Sequence, residues 1–213
     1  MNKNLLLILS HHLALILGII LYGFNIWVAM PVFFLSMYWA KFVGSDVMHF
    51  YFAHGKYKDC IKSYFYTFLT LCTGLGSPIS FSASHRQHHK FTDTEKDPHS
   101  PHHIGWKRVY FLDWQPQTIN PRLIADFARS KFQKLVHKHW FSAHITIVVL
   151  LAIIDIRLVC FLLSPFVMYS FHNASAINVL AHSDGKSRNV PLMRLINWWG
   201  WDHGDHHDYK SAK

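Results

Sequence analysis

The 37 residues between Lys3 and Lys41 include no Asp, Glu, Lys or Arg. That is enough for two membrane helices of ~18 residues each, at the short end of the spanning range. Backbone in lipid must satisfy its own hydrogen bonds, so such a stretch folds as helix. The first span is expected over 4–22. Gly23 and Asn25 mark a turn, and the second span covers 26–43, interrupted by Pro31. Lys3 followed by an apolar run also suits a secretory signal peptide. No small-x-small cleavage site follows, and a second apolar segment comes at once, so a retained helix is expected. After Trp140 two further spans are expected, 141–161 and 162–179, with Asp155 and Arg157 at the far membrane face.

The charges orient these spans. Residues 41–140 hold 14 of the 21 Lys and Arg, residues 182–213 hold five, and the hairpin turns hold only Arg157. By the positive-inside rule both termini and the polar regions face the cytoplasm. The expected fold is all-α: one integral-membrane domain over 1–213, with four transmembrane helices and a cytosolic helical cap formed by 44–140 and 180–213. Within the cap, Ser63 to Phe81 reads as a surface-lying or partly inserted helix. An amphipathic helix is expected around Arg122 to Lys138. The net charge of +9 lies beside membrane segments, so it suits an anionic bilayer, an acidic electron donor or a phosphate-bearing substrate, and no nucleic acid. The three cysteines form no C-x-x-C pair. Compactness and the lack of fused domains favour a bacterial inner membrane over the endoplasmic reticulum.

Histidine carries the chemistry. His85-Arg-Gln-His88-His89 places three imidazoles at i, i+3 and i+4, one face of a helix. His203-Gly-Asp-His206-His207 repeats the spacing. With 18 histidines, one such pattern arises in roughly one shuffled chain in ten, and two in about one in a hundred. His49 and His54 form a further pair, and Asn178 and His182 lie four apart. On an ideal α-helix His49 and His54 are about 140° apart, so they would not point the same way without distortion, and they could address two different ions. Glu95 is the only glutamate, which excludes a carboxylate-bridged di-iron bundle. A site built from imidazole suits iron, zinc, copper or nickel. Asp93, Asp97, Asp202 and Asp205 lie beside these histidines and are candidates to accept their ring N–H groups. His11 and His12 match none of the patterns and read as packing or interfacial residues. Phe33 and Met37 are candidates for the closed end of an apolar tunnel. Lys107, Arg108 and Arg122 could hold a phosphate-bearing head group.

At His49-x4-His54, His85-x-x-His88-His89 and His203-x-x-His206-His207 the chain resembles the three histidine boxes of integral-membrane fatty acid desaturases. It is most similar to the Δ9 acyl-CoA or acyl-lipid branch. The run from His85 to His99 is very like that branch's second box, and Asn178-x3-His182 resembles its extra ligand segment. His54-Gly-Lys-Tyr-Lys and Ser211-Ala212 follow the pattern too. The likeness covers roughly residues 36 to 212. It implies two iron ions on His49, His54, His85, His88, His89, His182, His203, His206 and His207, with Asn178 contacting one of them. O2 is the implied co-substrate. The implied reaction removes two hydrogens from an acyl chain carried on CoA, acyl carrier protein or glycerolipid. Electrons would come from a separate donor such as ferredoxin or cytochrome b5. The chain departs from the pattern in three places. Phe50 replaces the usual Arg, the Gly-Glu-Gly-aromatic run before the third box is Trp199-Gly-Trp-Asp202, and the chain ends six residues after His207. A membrane hydroxylase of lipid or carotenoid, or a metal-handling protein, would share the boxes.

Overall fold

The computed structural model describes residues 3–112 and 120–209, and every regular element among them is helical. Ser211 and Ala212 lie outside the described residues. Helix α1 is Lys3–Tyr22. Gly23 turns the chain at φ 82°, a conformation that favours glycine. Asn25 then caps α2, Ile26–Trp39, by accepting from the Trp27 N–H. α2 runs without a break into a π-helix, Ala40–His54. Next come α3 (Ile61–Thr70), α4 (Pro78–Phe91), α5 (Pro101–Ile104) and α6 (Trp106–Tyr110). α7, Lys131–Leu158, is joined by the π turn Val159–Leu163 to α8, Ser164–Ala181; α9 is His203–Tyr209.

Three helical runs are long and apolar enough to cross a membrane: Lys3–Tyr22, Ile26–His54 and Lys131–Ala181. The third is interrupted at Asp155, whose backbone is extended (φ −164°, ψ 120°). The Asp155 carboxylate accepts the Arg157 backbone N–H at 2.9 Å and its Nε–H at 2.8 Å, which caps the helix that restarts there. The break therefore falls at Asp155, not at the expected 161/162 boundary. Val148 and Leu151 before it join Leu163, Val167 and Phe171 after it in one cluster with Leu7 and Ile8 of α1. The two legs thus fold back against each other.

The surface of these helices is inverted relative to a water-soluble protein. Ile20, Leu21, Trp27, Ile153 and Ile154 point outward. On α3, Ser63, Thr67 and Thr70 are buried while Ile61, Phe65 and Phe68 are exposed. Exposing apolar area to water costs about 25 cal/mol per Å², whereas lipid imposes no such cost. The stretch from Ser63 to Phe81 forms two helices, broken at the residues that its glycines and Pro78 suggest. Gly74 and Gly76, at φ 73° and 88°, turn the chain, and a Ser77–Ser80 capping box with Pro78 in the first turn starts α4. The helix expected from Arg122 begins only at Lys131. Asn120 caps a 3-10 turn over Pro121–Ile124, and Ser130 caps α7 by accepting from the Gln133 N–H.

Two small cores hold the polar end of the molecule. Val47 and Phe52 of the π-helix pack with Tyr57, Ile79 and Phe127, fixing the π-helix against α4. Ile177 and Ala181 of α8 pack with Met193, fixing the segment that leads into α9.

Candidate metal centre

Three helices present eight of the histidines, and His182 sits at the C-terminal cap of α8. On α4, His85, His88 and His89 share a face, as their spacing requires. On α9, His203, His206 and His207 do the same from the opposite side. The expectation that His49 and His54 point to different ions is overturned. The segment carrying them is π-helical, and its i→i+5 hydrogen bonding brings residues five apart onto one face. Their ring centroids are 4.7 Å apart.

Arg86, inside the central motif, locks that geometry. Its guanidinium donates to Ala53 O (2.7 Å), Phe52 O (2.9 Å) and Gly55 O (2.8 Å), carbonyls at the end of the π-helix. It also donates to Leu123 O at 2.6 Å and forms a bidentate pair with Asp126 at 2.7 and 3.0 Å. Asp126 in turn accepts the Tyr57 backbone N–H at 2.7 Å. One buried side chain therefore ties His54 to His85. The sequence showed the arginine but nothing of its partners, which lie 31 to 40 positions away.

The nine histidines fall into two groups. His49, His54, His85, His89 and His206 form one; His88, His182, His203 and His207 form the other. In the first, His49–His206, His54–His85 and His89–His206 approach Nε2 to Nε2 at 3.0, 2.9 and 3.1 Å. In the second, His88–His207, His182–His203 and His203–His207 do so at 3.1, 3.0 and 3.2 Å.

The proton positions in the second group can be worked out. Asp97 accepts from His88 Nδ1–H at 2.7 Å, and Asp93 from His182 Nδ1–H at 2.8 Å. Thr92 gives its hydroxyl proton to His88 O, so it accepts from His207 Nδ1–H at 3.3 Å. A neutral ring carries one N–H, so the Nε2 atoms of His88, His182 and His207 all present lone pairs to a common centre. His88 Nε2 and His207 Nε2 then face each other with no proton between them, which a shared cation resolves. Nitrogens ~2.0–2.1 Å from one ion at ~90–109° lie ~2.8–3.4 Å apart, the range observed here. Both groups therefore fit a metal.

Burial enforces the neutral state. Desolvation, then the neighbouring rings, push His85, His88 and His203 well below the ordinary imidazole range, and His89 to about 3. Asp97 and Asp93 are the expected aspartates that reach the rings. Asp202 and Asp205 line a cavity of about 560 Å³ beside His49, His85, His203 and His206. Asn178 is in its wall, together with Asn173 and Ile177 of α8. From the second helix the wall takes Ala40, Gly44 and Ser45, not Phe33 or Met37. Phe33 instead packs on Tyr169, and Met37 is buried. Lys107 and Arg108 lie exposed on α6, and Arg122 borders a separate pocket with Gly55 and Lys56. His99 was not singled out from the sequence. It is buried with its ring centroid 4.2 Å from that of His88.

No family model matches the chain. Curated relatives do. It is 24% identical to icosanoyl-CoA 5-desaturase of Limnanthes douglasii over 86% of this chain and 60% of that protein. It is 28% identical to delta-9 acyl-lipid desaturase 2 of Arabidopsis thaliana over 70% and 53%. It is 27% identical to sn-1 stearoyl-lipid 9-desaturase of Anabaena variabilis over 68% and 59%. The chain thus spans between about half and three fifths of the length of these relatives. The histidine arrangement and these relatives together make the chain similar to fatty acid desaturases and support that family.

Proposed function

We propose that the chain is an O2-dependent fatty acyl desaturase that introduces a cis double bond, at Δ9, into a saturated acyl chain. The observation that carries this reading is the division of nine histidines into two groups, each with convergent ring nitrogens. Its membrane arrangement is four crossings, two of them the legs that meet at Asp155, with termini and histidines on the cytoplasmic side of a bacterial inner membrane.

Two iron ions held by these groups, with O2 and two electrons, would supply the oxidising power to break unactivated methylene C–H bonds, which no side chain can do. His49, His54, His85, His89 and His206 would hold one, and His88, His182, His203 and His207 the other, with Asn178 beside it. The protein's own part is placement. Asp97 and Asp93 fix the tautomers of His88 and His182, so their lone pairs point inward. Arg86 fixes the first box against the second. The cavity beside His49 and His203 receives the acyl chain, and Gly44 keeps it open, since a side chain there would meet nothing within 4 Å. Electrons come from a separate donor such as ferredoxin or cytochrome b5, met by the basic cap.

Product analysis tests this. The chain, and a His88→Ala/His206→Ala control, are expressed with ferredoxin and its reductase in a host lacking desaturases. Gas chromatography with double-bond localisation should find a new Δ9 monounsaturated acid from the wild type alone. A hydroxy acid would instead assign the hydroxylase reading.

A further inference from the structure

The segment between α8 and α9 carries an apolar face that the fold leaves uncovered. Leu192 is 82% exposed and Leu195 84%, with Ile196 and Trp198 also outward. Met193 between them is buried against Ile177 and Ala181. The segment is therefore amphipathic, with its apolar side turned away from the protein. That side continues the outward surface of the membrane helices. Trp198 packs edge-on against Tyr38 of α2 (centroids 5.7 Å). The Tyr169 hydroxyl donates to Ile196 O at 2.5 Å, and its ring meets Phe33 of α2 at 5.7 Å. Ile196 thus lies level with residues of two membrane-crossing helices, whose Phe34, Leu35 and Tyr38 are exposed alongside it. Arg194, over the Trp201 ring at 5.3 Å, sets a cation at the edge of the patch, where lipid phosphates lie.

The opposite side of the same segment faces the site. Asn197, Trp199 and Gly200 line the cavity that reaches His203 and His206. We propose that residues 191–199 are seated in the bilayer interface, and that the acyl substrate enters the cavity sideways past them as a membrane-resident acyl lipid. This deepens the desaturase reading, and its substrate half rests on that reading.

Two measurements on the iron-loaded full chain in vesicles of phosphatidylcholine and phosphatidylglycerol test it without using turnover. For depth, a nitroxide is placed at Leu195→Cys, with the exposed thiol of Cys60 removed by Cys60→Ser. Relaxation by O2 should exceed relaxation by a water-soluble nickel chelate; the reverse would put the segment in water and overturn the proposal. For entry, a saturated phosphatidylglycerol bearing a diazirine in its acyl chain should crosslink to the 197–200 stretch. Leu192→Asp/Leu195→Asp should cut that yield at least tenfold while iron content stays at the wild-type level. Crosslinking only from the same acyl group given as a soluble CoA thioester, or a yield unmoved by the double variant, would overturn lateral entry. Failure of the desaturase reading would show separately, in the product analysis.

Discussion

Histidine meets histidine in two regions of this molecule, at nearly the same distances and with opposite meaning. Among the membrane helices, His11 Nε2 lies 2.9 Å from His144 Nε2, and His12 Nε2 lies 3.0 Å from His172 Nε2. Both chains close. His144 Nδ1–H donates to Leu71 O, so its Nε2 accepts from His11, whose Nδ1 accepts from the Ser164 hydroxyl. His12 Nδ1–H donates to Ile8 O, so its Nε2 accepts from His172, whose Nδ1 accepts from the Tyr110 hydroxyl. Every ring nitrogen has its proton or its donor, and nothing is missing. At the polar end the count fails, because Asp97, Asp93 and Thr92 take the Nδ1 protons and leave lone pairs facing lone pairs. Short N···N contacts therefore do not identify a metal site. The partners on the far side of each ring do.

Each of the following tests sharpens that contrast. His88→Ala should remove one metal equivalent and reduce desaturation to background, by elemental analysis and product profile. His144→Phe should leave metal content unchanged. Asp97→Asn frees the tautomer of His88 and should weaken metal retention by about 10–100-fold, read by chelator competition. Acid offers a further test at the polar end. His89 titrates at 6.5 when unfolded and at about 3 when folded, so the unfolded chain binds the extra proton between those values. The metal-free protein should therefore lose stability as pH falls from 6.5 towards 3, by thermal melts in detergent. His144→Phe itself orphans Leu71 O and should cost about 1–3 kcal/mol in unfolding, with no change in product. The smallest effect belongs to Gly44→Leu, which should shorten the preferred acyl chain by a few carbons at similar total turnover.

Much of this was legible in the chain because it is written locally. Uncharged length dictates membrane helices, and i, i+3, i+4 spacing dictates which histidines share a face. What escaped was set by contacts distant in sequence or by unusual winding. The pairing of His49 with His54 depends on a π-helix, which no α-helical wheel anticipates. The role of Arg86 depends on carbonyls of another helix. Asp155 and Arg157 mark the far turn, but the expected span boundary falls at 161/162 because the helix restart depends on the Asp155 side chain capping it.

Helix α9 contributes to both histidine groups: His206 to one, His203 and His207 to the other. On a ribosome the other six histidines emerge first, and both half-built basins must wait for it. Neither group of ring nitrogens is complete before this stretch emerges, so a metal bound by either would be fully enclosed only then. One seven-residue helix thus latches the two compartments together.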